Sequence, residues 1–579
     1  MPDYLRTPLL AATLLFDASG FLKGGKRWHR QLPSVRQEQI LCWKDASDGF
    51  QRDLLRYFES LATLALYSRR PYSEPGSSLC PGIEPAARQE SVSPRANVIE
   101  APPQQLTAEI VVVGSGPGGA ITACLLAEAG RDVLLVEEGP FLSLDSCEAF
   151  SQDEMLKKYR NGGQTVAFGK NKIAYVEGRC VGGGSEINSG LYHRTPGDVL
   201  ESWRRKFQVE ALTEADLVPH FEKCERELSV SRLPGAMPAA SRKLEEGAAK
   251  LGWQCLEIPR WFRYDNDADG KPGKGRRQSM TETYIPRFLR AGGRLLPRTR
   301  ALRLRQTGPK WTIKMQHETA VAVGVEAGAV FLCAGAVHTP ALFRRSGITG
   351  RIGNSLQVHP TIKIAATFKE LVNPEDMGVP VHQVKEFSPR LSFGCSISSP
   401  GYLALGLIDH PDAARDAWRI RGHTAIYYAM ITSEGSGSIR PVPGFRDPMV
   451  RYVLTERDRR NLADGLSKLA RLLLAAGATA LYPTLARGPV LRCSECLSKL
   501  PEIFPDGLAN LMTVHLFSSC PMGEDRARCA TDSFGKVHGF KNLFVNDASL
   551  LCTAPGVNPQ GSIMAIARRN ALHYLETNR

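Results

Sequence analysis

The chain has 579 residues, 43% of them hydrophobic and 23% charged. This is the composition of an ordinary folded protein too long for one small core, which excludes a disordered or fibrous chain and predicts two intimately joined domains. The formal charge is +14, but basic residues such as Arg204, Arg205, Arg344, Arg345, Arg459 and Arg460 are scattered and form no aromatic-interleaved stripe, so nucleic acid is not an expected partner.

Residues 1 to about 75 read as helical. The stretch FQRDLLRYFESLATLALYS sets Leu54, Leu55, Phe58, Leu61, Leu64 and Leu66 among charges, an amphipathic element expected to pack on the main body, with docking to a membrane or a partner as its other role. The apolar run from Pro8 to Phe16 is too short, and too poor in flanking signals, for a secretory leader. No stretch approaches the roughly 20 apolar residues of a membrane span. A cytoplasmic or peripherally membrane-associated protein is therefore expected. From Pro71 to about Gln105 the sequence reads as a Pro/Ser/Gly linker.

At Ala108 the texture changes. AEIVVVGSGPGGA is a β-branched strand running into a glycine turn, ITACLLAEAG reads as a helix and DVLLVEEG as a second strand, together a β-α-β unit. Gly114, Gly116 and Gly119 form GxGxxG. The first glycine permits the tight turn, the second lets a pyrophosphate approach the backbone, and the third lets helix and strand pack closely. The helix N-terminus then faces the phosphates with its partial positive charge. Glu137 follows about 20 residues on, where it can accept from ribose hydroxyls, and an acid there favours FAD or NAD over NADP.

Three later segments resemble the glucose-methanol-choline (GMC) oxidoreductase family. The first is GRCVGGGSEINSGLYHRTP, in which the resemblance implies that Gly182, Gly183, Ser185 and Asn188 lie along the isoalloxazine and pyrophosphate of FAD. The second is VFLCAGAVHTPALFRRSG with IGNSLQVHP, similar to the family's return to the cofactor domain. The third opens at His515 and continues through GFKNLFVNDASLLCTAPGVNPQGSIMAIARR. There the resemblance puts Asp547, Ala548 and Pro559 on the cofactor and makes His515 and Asn558 the catalytic pair. The match runs from Ala108 to the C-terminus and leaves out residues 1 to 100. The chain departs from the family pattern at Gly184, Glu186 and Glu138.

The resemblance implies an α/β (α+β overall) fold: a Rossmann-like FAD-binding domain interleaved with a substrate domain on an antiparallel sheet with helices, plus an N-terminal helical extension. The expected boundaries are 1–105 for the extension and linker, 106–200 for the first part of the FAD domain and 201–255 for a mixed connection. They continue with 256–350 for the FAD-domain return, 351–510 for the substrate domain and 511–579 for the C-terminal part carrying the pair.

The implied activity is FAD-dependent oxidation of an alcohol to an aldehyde or ketone. Such a reaction removes a hydroxyl proton and a carbon-bound hydride. A histidine with an ordinary pKa of about 6.5 can accept the proton, which suits His515. The Asn558 amide can both donate and accept, so it can hold the substrate oxygen without titrating. The N-terminal extension, the His515/Asn558 pairing and GVPVHQVKEF look more like long-chain or bulky-alcohol oxidases and dehydrogenases than glucose oxidase, and LSFGCSISSPGYLALGLI agrees with a lipophilic substrate. Oxygen, a quinone or a redox protein would take the electrons.

Two competing readings exist. One is a redox-neutral or light-driven lyase or decarboxylase on the same fold, for which Arg390 and Cys395 are the conceivable pair. The other is an electron-transfer subunit docked by its basic surface. The 14 cysteines sit mostly in apolar segments, as Cys124 and Cys333 do, and read as free thiols. Cys493 and Cys496 form one C-x-x-C, but no histidine stands at zinc spacing and no metal is expected. His359 precedes Pro360 and, by the resemblance, matches a structural position of the family, while His193, His382, His410 and His423 have no partner visible in the sequence.

Overall fold

The computed structural model describes residues 1–44, 46, 49–68, 97–265, 275–375 and 378–578. Most of the linker lies outside the described residues.

Ile110, Val111 and Val112 are fully buried, as befits a parallel strand covered on both faces. Their strand, Gln105–Val113, pairs in parallel with Ala322–Leu332 on one side and Val133–Val136 on the other. Antiparallel strands Thr299–Thr307 and Lys310–His317 extend this sheet at one edge, and Arg294–Leu296 ends it at the other. Leu543–Val545 joins in parallel beside the end of Ala322–Leu332. This last pairing explains how the C-terminal segment reaches the glycine turn. A Cβ on Gly118 would stand 2.1 Å from the carbonyl oxygen of Asn546, so only glycine allows the approach.

The second sheet has nine strands. At its centre Thr361–Thr367 lies antiparallel to Thr424–Ile431, which pairs in turn with Leu391–Cys395. Leu511–Thr513 and Ala480–Pro483 share the other edge of Thr361–Thr367. Alternation divides that central strand: Ile362, Ile364 and Ala366 join a core with Leu462, Leu466 and Leu469 of the helix Glu456–Ala475. A capping box between Thr455 and Asp458 starts that helix. Thr361 and Lys363 face the opposite way, into a cavity between the two sheets.

The N-terminal extension forms helices Asp3–Ala18, Pro33–Lys44 and Gly49–Tyr67. Directed polar contacts tie it to the body. The Asp3 carboxylate accepts from the Arg446 amide at 2.7 Å and the Asp447 amide at 3.1 Å, Arg56 pairs with Asp409 at 2.7 Å, and the Tyr67 hydroxyl donates to the Ala414 carbonyl at 2.7 Å. Gly401 admits the third helix, since a Cβ there would come within 2.7 Å of Ser68 Oγ. Asp3–Gly24, 22 residues, is long and apolar enough to cross a membrane by length and composition alone, a test that core helices and signal sequences also pass. The short helix Phe21–Gly24 continues the first helix and supplies the length that the run from Pro8 to Phe16 lacks.

Candidate active site

The cofactor end of the cavity is built from glycines whose missing side chains can be accounted for individually. Gly114 has φ +103°, and a Cβ on it would stand 2.3 Å from the Cys333 carbonyl oxygen. Gly116 faces open space and begins the helix Pro117–Glu128 with no side-chain cap, so the first amides of that helix are left for a ligand. Gly183 approaches so closely that its Cβ would lie 2.9 Å from Gly116 Cα, which makes the two glycine turns one surface. Gly183, Gly184, Asn188, Asp547, Ala548 and Pro559 also line the cavity. Gly119, Gly182 and Ser185 do not reach it. A Cβ on Gly119 would come within 1.9 Å of the Gly114 carbonyl oxygen, and Ser185 Oγ donates to the Gly182 carbonyl while accepting from the Met280 amide. These three hold the turns from behind.

The acids of this end are held by the protein. Glu137 Oε2 accepts from the Ser115 amide and hydroxyl, and Oε1 accepts from the Gly139 amide at 2.9 Å. Burial pushes its carboxyl up against those hydrogen bonds. Burial also opposes the neighbouring Glu138 carboxylate, but Arg160 and Arg300 outweigh it and hold that group well below the usual range. The negative charge that the sequence places beside Glu137 is thus compensated. Asp547 accepts from Gly335, Thr339 and Ser549. Asn188 Nδ2 donates to Gln560 Oε1 at 2.7 Å, which ties the second turn to the C-terminal helix. Glu186 turns away from the cavity and accepts from Thr281.

At the other end, His515 follows the strand Leu511–Thr513, and Thr513 Oγ1 clasps its backbone, accepting from its amide at 3.1 Å and donating to its carbonyl at 2.9 Å. His515 Nε2 lies 3.3 Å from Asn558 Nδ2, and both residues line the cavity. Its Nδ1 lies 3.1 Å from His359 Nδ1. His359 Nε2 accepts from the Gly556 amide at 3.1 Å, so a neutral His359 carries its proton on Nδ1 and directs it at His515. A neutral His515 then holds its own proton on Nε2, which the Asn558 amide accepts with its oxygen turned to His515 and the Gln383 amide turned to offer its own oxygen to Asn558 Nδ2. Asn558 continues to Gln383 at 3.2 Å, and Gln383 to the Tyr428 hydroxyl at 2.9 Å. Burial, with a smaller effect of Lys385, pushes the His515 pKa down to about 3.

The cavity has a volume of about 1200 Å³, above the roughly 300–1,000 Å³ of a pocket for one small ligand. It has room for a dinucleotide and a substrate together. Leu5, Leu9, Leu54, Leu61 and Leu64 from the N-terminal helices close one side of it. The sequence foresaw those helices as packed on the body, but not as cavity wall. Neither His359 nor Gln383 is identifiable from the sequence as a partner of His515 or Asn558. Arg390 is engaged by Asp464 at 2.8 Å and is not among the lining residues, whereas Cys395 is; the two do not form a pair in the cavity. Cys493 and Cys496 are free, with sulfurs 2.9 Å apart at the surface. No group of three or more metal-ligating side chains exists among the described residues.

A glycine cradle opening onto a half-buried His–Asn pair on one cavity wall defines a dinucleotide-dependent oxidoreductase. Residues 155–361 and 435–567 match the two models for GMC oxidoreductases, and residues 112–166 match a Rossmann-like NAD(P)-binding model. The chain is 40% identical over 479 residues to an uncharacterised GMC-type oxidoreductase of Sinorhizobium fredii, covering 81% of this chain and 94% of that one. It is 26% identical over 512 residues to a long-chain-alcohol oxidase of Arabidopsis thaliana, covering 81% and 68%. Among solved structures, formate oxidase of Aspergillus oryzae superposes with a TM-score of 0.64 at 14% identity, covering 82% of this chain and 99% of that one. An FAD-dependent oxidoreductase of Chaetomium thermophilum gives 0.60 at 16% identity, covering 81% and 99%. The chain belongs to the GMC oxidoreductase family, and its cofactor is FAD.

Proposed function

We propose that the protein oxidises a lipophilic or bulky alcohol to an aldehyde or ketone, with His515 taking the hydroxyl proton and Asn558 orienting the substrate oxygen. The observation that carries this reading is the His515–Asn558 contact of 3.3 Å at the wall of a cavity shared with the dinucleotide turn. Bound FAD supplies the acceptor for the hydride. The protein's own part is to hold the alcohol oxygen between His515 and Asn558, exclude water and move one proton. His515 can take that proton at Nε2 only as the tautomer protonated on Nδ1. That form shares its Nδ1 proton with His359 and gives up the hydrogen bond from Gly556. His359 is thereby a positioning residue for the base. The apolar wall contributed by Leu5, Leu9, Leu54, Leu61 and Leu64 supports a lipophilic chain, as do the plant long-chain-alcohol oxidases among the relatives.

The same helices support contact with an anionic membrane surface. Their outer faces expose Leu10, Leu14, Leu15, Phe21 and Leu22 beside Lys23, Lys26, Arg27 and Arg30, the combination of apolar and cationic groups that suits anionic lipid. Sedimentation with phosphatidylserine vesicles should carry the protein down at low salt, and Leu14→Ser with Leu22→Ser should release it. Sedimentation that ignores both changes would remove this reading.

Anaerobic mixing of the holoenzyme with a panel of aliphatic, cyclic and sugar alcohols tests the activity. Aliphatic or bulky alcohols should bleach the flavin, and readmitted oxygen or a quinone should restore its colour. If no alcohol bleaches it, the reading fails, and product formed from a carboxylic acid only under blue light would identify a decarboxylase instead.

A further inference from the structure

Lys363 is chemically out of place on the wall where it stands. Its strand partners on that face are Met430 opposite Thr361, Tyr428 opposite Lys363 itself, and Ile426 opposite Ala365, with Met512 beyond Thr361. Its backbone is bonded to Thr484. Its amine has no hydrogen bond and no ion pair among the described residues, although it lines the cavity. Most other cations of the same cavity are ion-paired, Arg160 and Arg300 with Glu138, Arg56 with Asp409 and Lys172 with Asp53, while Arg345 donates to the Leu302 carbonyl. Lys363 is half-buried, its side chain turned into the cavity, and an ammonium set against a largely apolar wall without a counterion is costly there, a cost that an anionic ligand would offset.

Its place along the strand separates it from the reacting end. Thr361 Oγ1 donates to the His359 carbonyl at 3.1 Å, so Thr361 stands beside the catalytic pair. Lys363 is two residues further on, about 7 Å along a strand, on the side where Leu405 and Tyr402 of the helix Pro400–Leu407 and Leu64 of the third N-terminal helix line the cavity. The wall between the two stations is largely apolar. A substrate reaching both would carry a hydroxyl at one end, an apolar body and an anion at the other.

We propose that Lys363 receives the carboxylate of the substrate, and that the substrates are therefore hydroxy acids whose carboxylate is separated from the reacting hydroxyl by an apolar chain. This rests on the reading of the cavity as an alcohol-oxidising site. Burial pushes the Lys363 amine down to about 8, so it is charged below that pH and loses its hold on a carboxylate above it. The titratable groups on the elements packed around its face offer no competing acid. Tyr428 is pushed up by burial and so is Tyr402, to about 12. Tyr482 is a phenol on Ala480–Pro483; of the carboxylates on the surrounding elements, Asp409 is paired with Arg56 and Asn510, and Asp53 of the helix Gly49–Tyr67, which also lines the cavity, is paired with Lys172. The charges of Glu456–Ala475 lie behind the sheet.

The test is calorimetric titration of the oxidised holoenzyme with straight-chain alkanoates and the alkanamides of matched length. At the best length the alkanoate should bind at least tenfold more tightly than the amide, the advantage should shrink tenfold or more in K363M, and in the unaltered protein it should fall between pH 7 and pH 9. In turnover, the ratio of kcat/KM for an ω-hydroxyalkanoate to that for the n-alkanol of equal length should drop at least tenfold in K363M, mainly through KM. An alkanoate bound no better than its amide, or a preference that survives in K363M, overturns the proposal. Should K363M fail to load FAD, the alkanoate–amide comparison and its pH dependence in the unaltered protein decide alone. If n-alkanols bleach the flavin while the carboxylate adds nothing, the lysine proposal falls and alcohol oxidation stands. If alkanoates bind through Lys363 but no alcohol bleaches the flavin, the carboxylate site stands and the alcohol reading falls.

Discussion

The two ends of the cavity are built by opposite strategies. The cofactor end is made of missing atoms: Gly116 and Gly183 meet with no room for a Cβ on Gly183, Gly118 lies against Asn546, and the nearby acids are held by backbone amides and arginines. The substrate end is made of side chains from distant parts of the chain, with His359 and His515 in contact across 156 residues and leucines arriving from the N-terminal helices. Rigid backbone shape suits a ligand that never changes. A wall of separate side chains suits a substrate that one lineage can exchange for another by altering a few residues.

This contrast predicts that damage at the first end removes the flavin, whereas damage at the second keeps the flavin and removes the reaction. The largest effect should come from Gly119→Ala. Its Cβ would need to occupy space 1.9 Å from the Gly114 carbonyl oxygen, so the turn must open, and the purified protein should lack the flavin absorbance bands. Retention of full flavin content would show that the turn yields more easily than its geometry implies. Next in size is His515→Ala, which should keep its flavin and reduce it about a thousandfold more slowly in stopped flow, within the range of general-base contributions. An unchanged rate would discard the base assignment. Asn558→Ala should cost about a hundredfold, the loss of one donor to a developing oxyanion. A smaller loss appearing mainly in KM would make Asn558 a binding residue alone.

How much of this was legible in the sequence follows the same division. The cofactor end is a local motif: GxGxxG between a β-branched strand and an apolar helix carries its geometry in contiguous residues, and the structure accounts sterically for Gly114 and Gly119 and leaves Gly116 facing the open cavity. The pairing of His515 with Asn558 came through family resemblance, because nothing between those two positions dictates that they meet. His359 stayed unassigned since its partner comes from another strand, and Lys363 was invisible for a related reason. In Thr361-Ile362-Lys363-Ile364 the alternation marks a strand, but which face meets a cavity depends on the distant helix Glu456–Ala475 covering Ile362 and Ile364 and leaving Thr361 and Lys363 on the other face. The amphipathic helix Gly49–Tyr67 was visible as such. That its apolar stripe would meet ligand space as well as core depends on Arg56 finding Asp409, a pairing no periodicity encodes.

The smallest expected effect is a flat line, and it tests the substrate end most narrowly. A base must be neutral to accept a proton, and a histidine with its ordinary pKa would lose activity as the pH falls through about 6.5. In His515 burial, aided by Lys385, pushes the pKa down to about 3, so the folded protein keeps a neutral base throughout the usual assay range. The rate constant for flavin reduction should therefore stay level from pH 8 to pH 5 with a neutral alcohol. Stability should not stay level. The unfolded chain binds protons at His515, His359 and His193 below about pH 6.5, while the folded chain does not, because burial lowers all three. Stability is then fully present above that pH and declines as the pH falls towards the folded values, by up to about 1.4 kcal/mol per pH unit for each such histidine. Thermal unfolding of the holoenzyme should show Tm falling between pH 6.5 and pH 5 while flavin reduction holds steady. An acid limb near pH 6.5 in the reduction rate, with Tm unchanged, would mean that His515 is solvated and ordinary, and that the cavity is open to water where the apolar wall should close it.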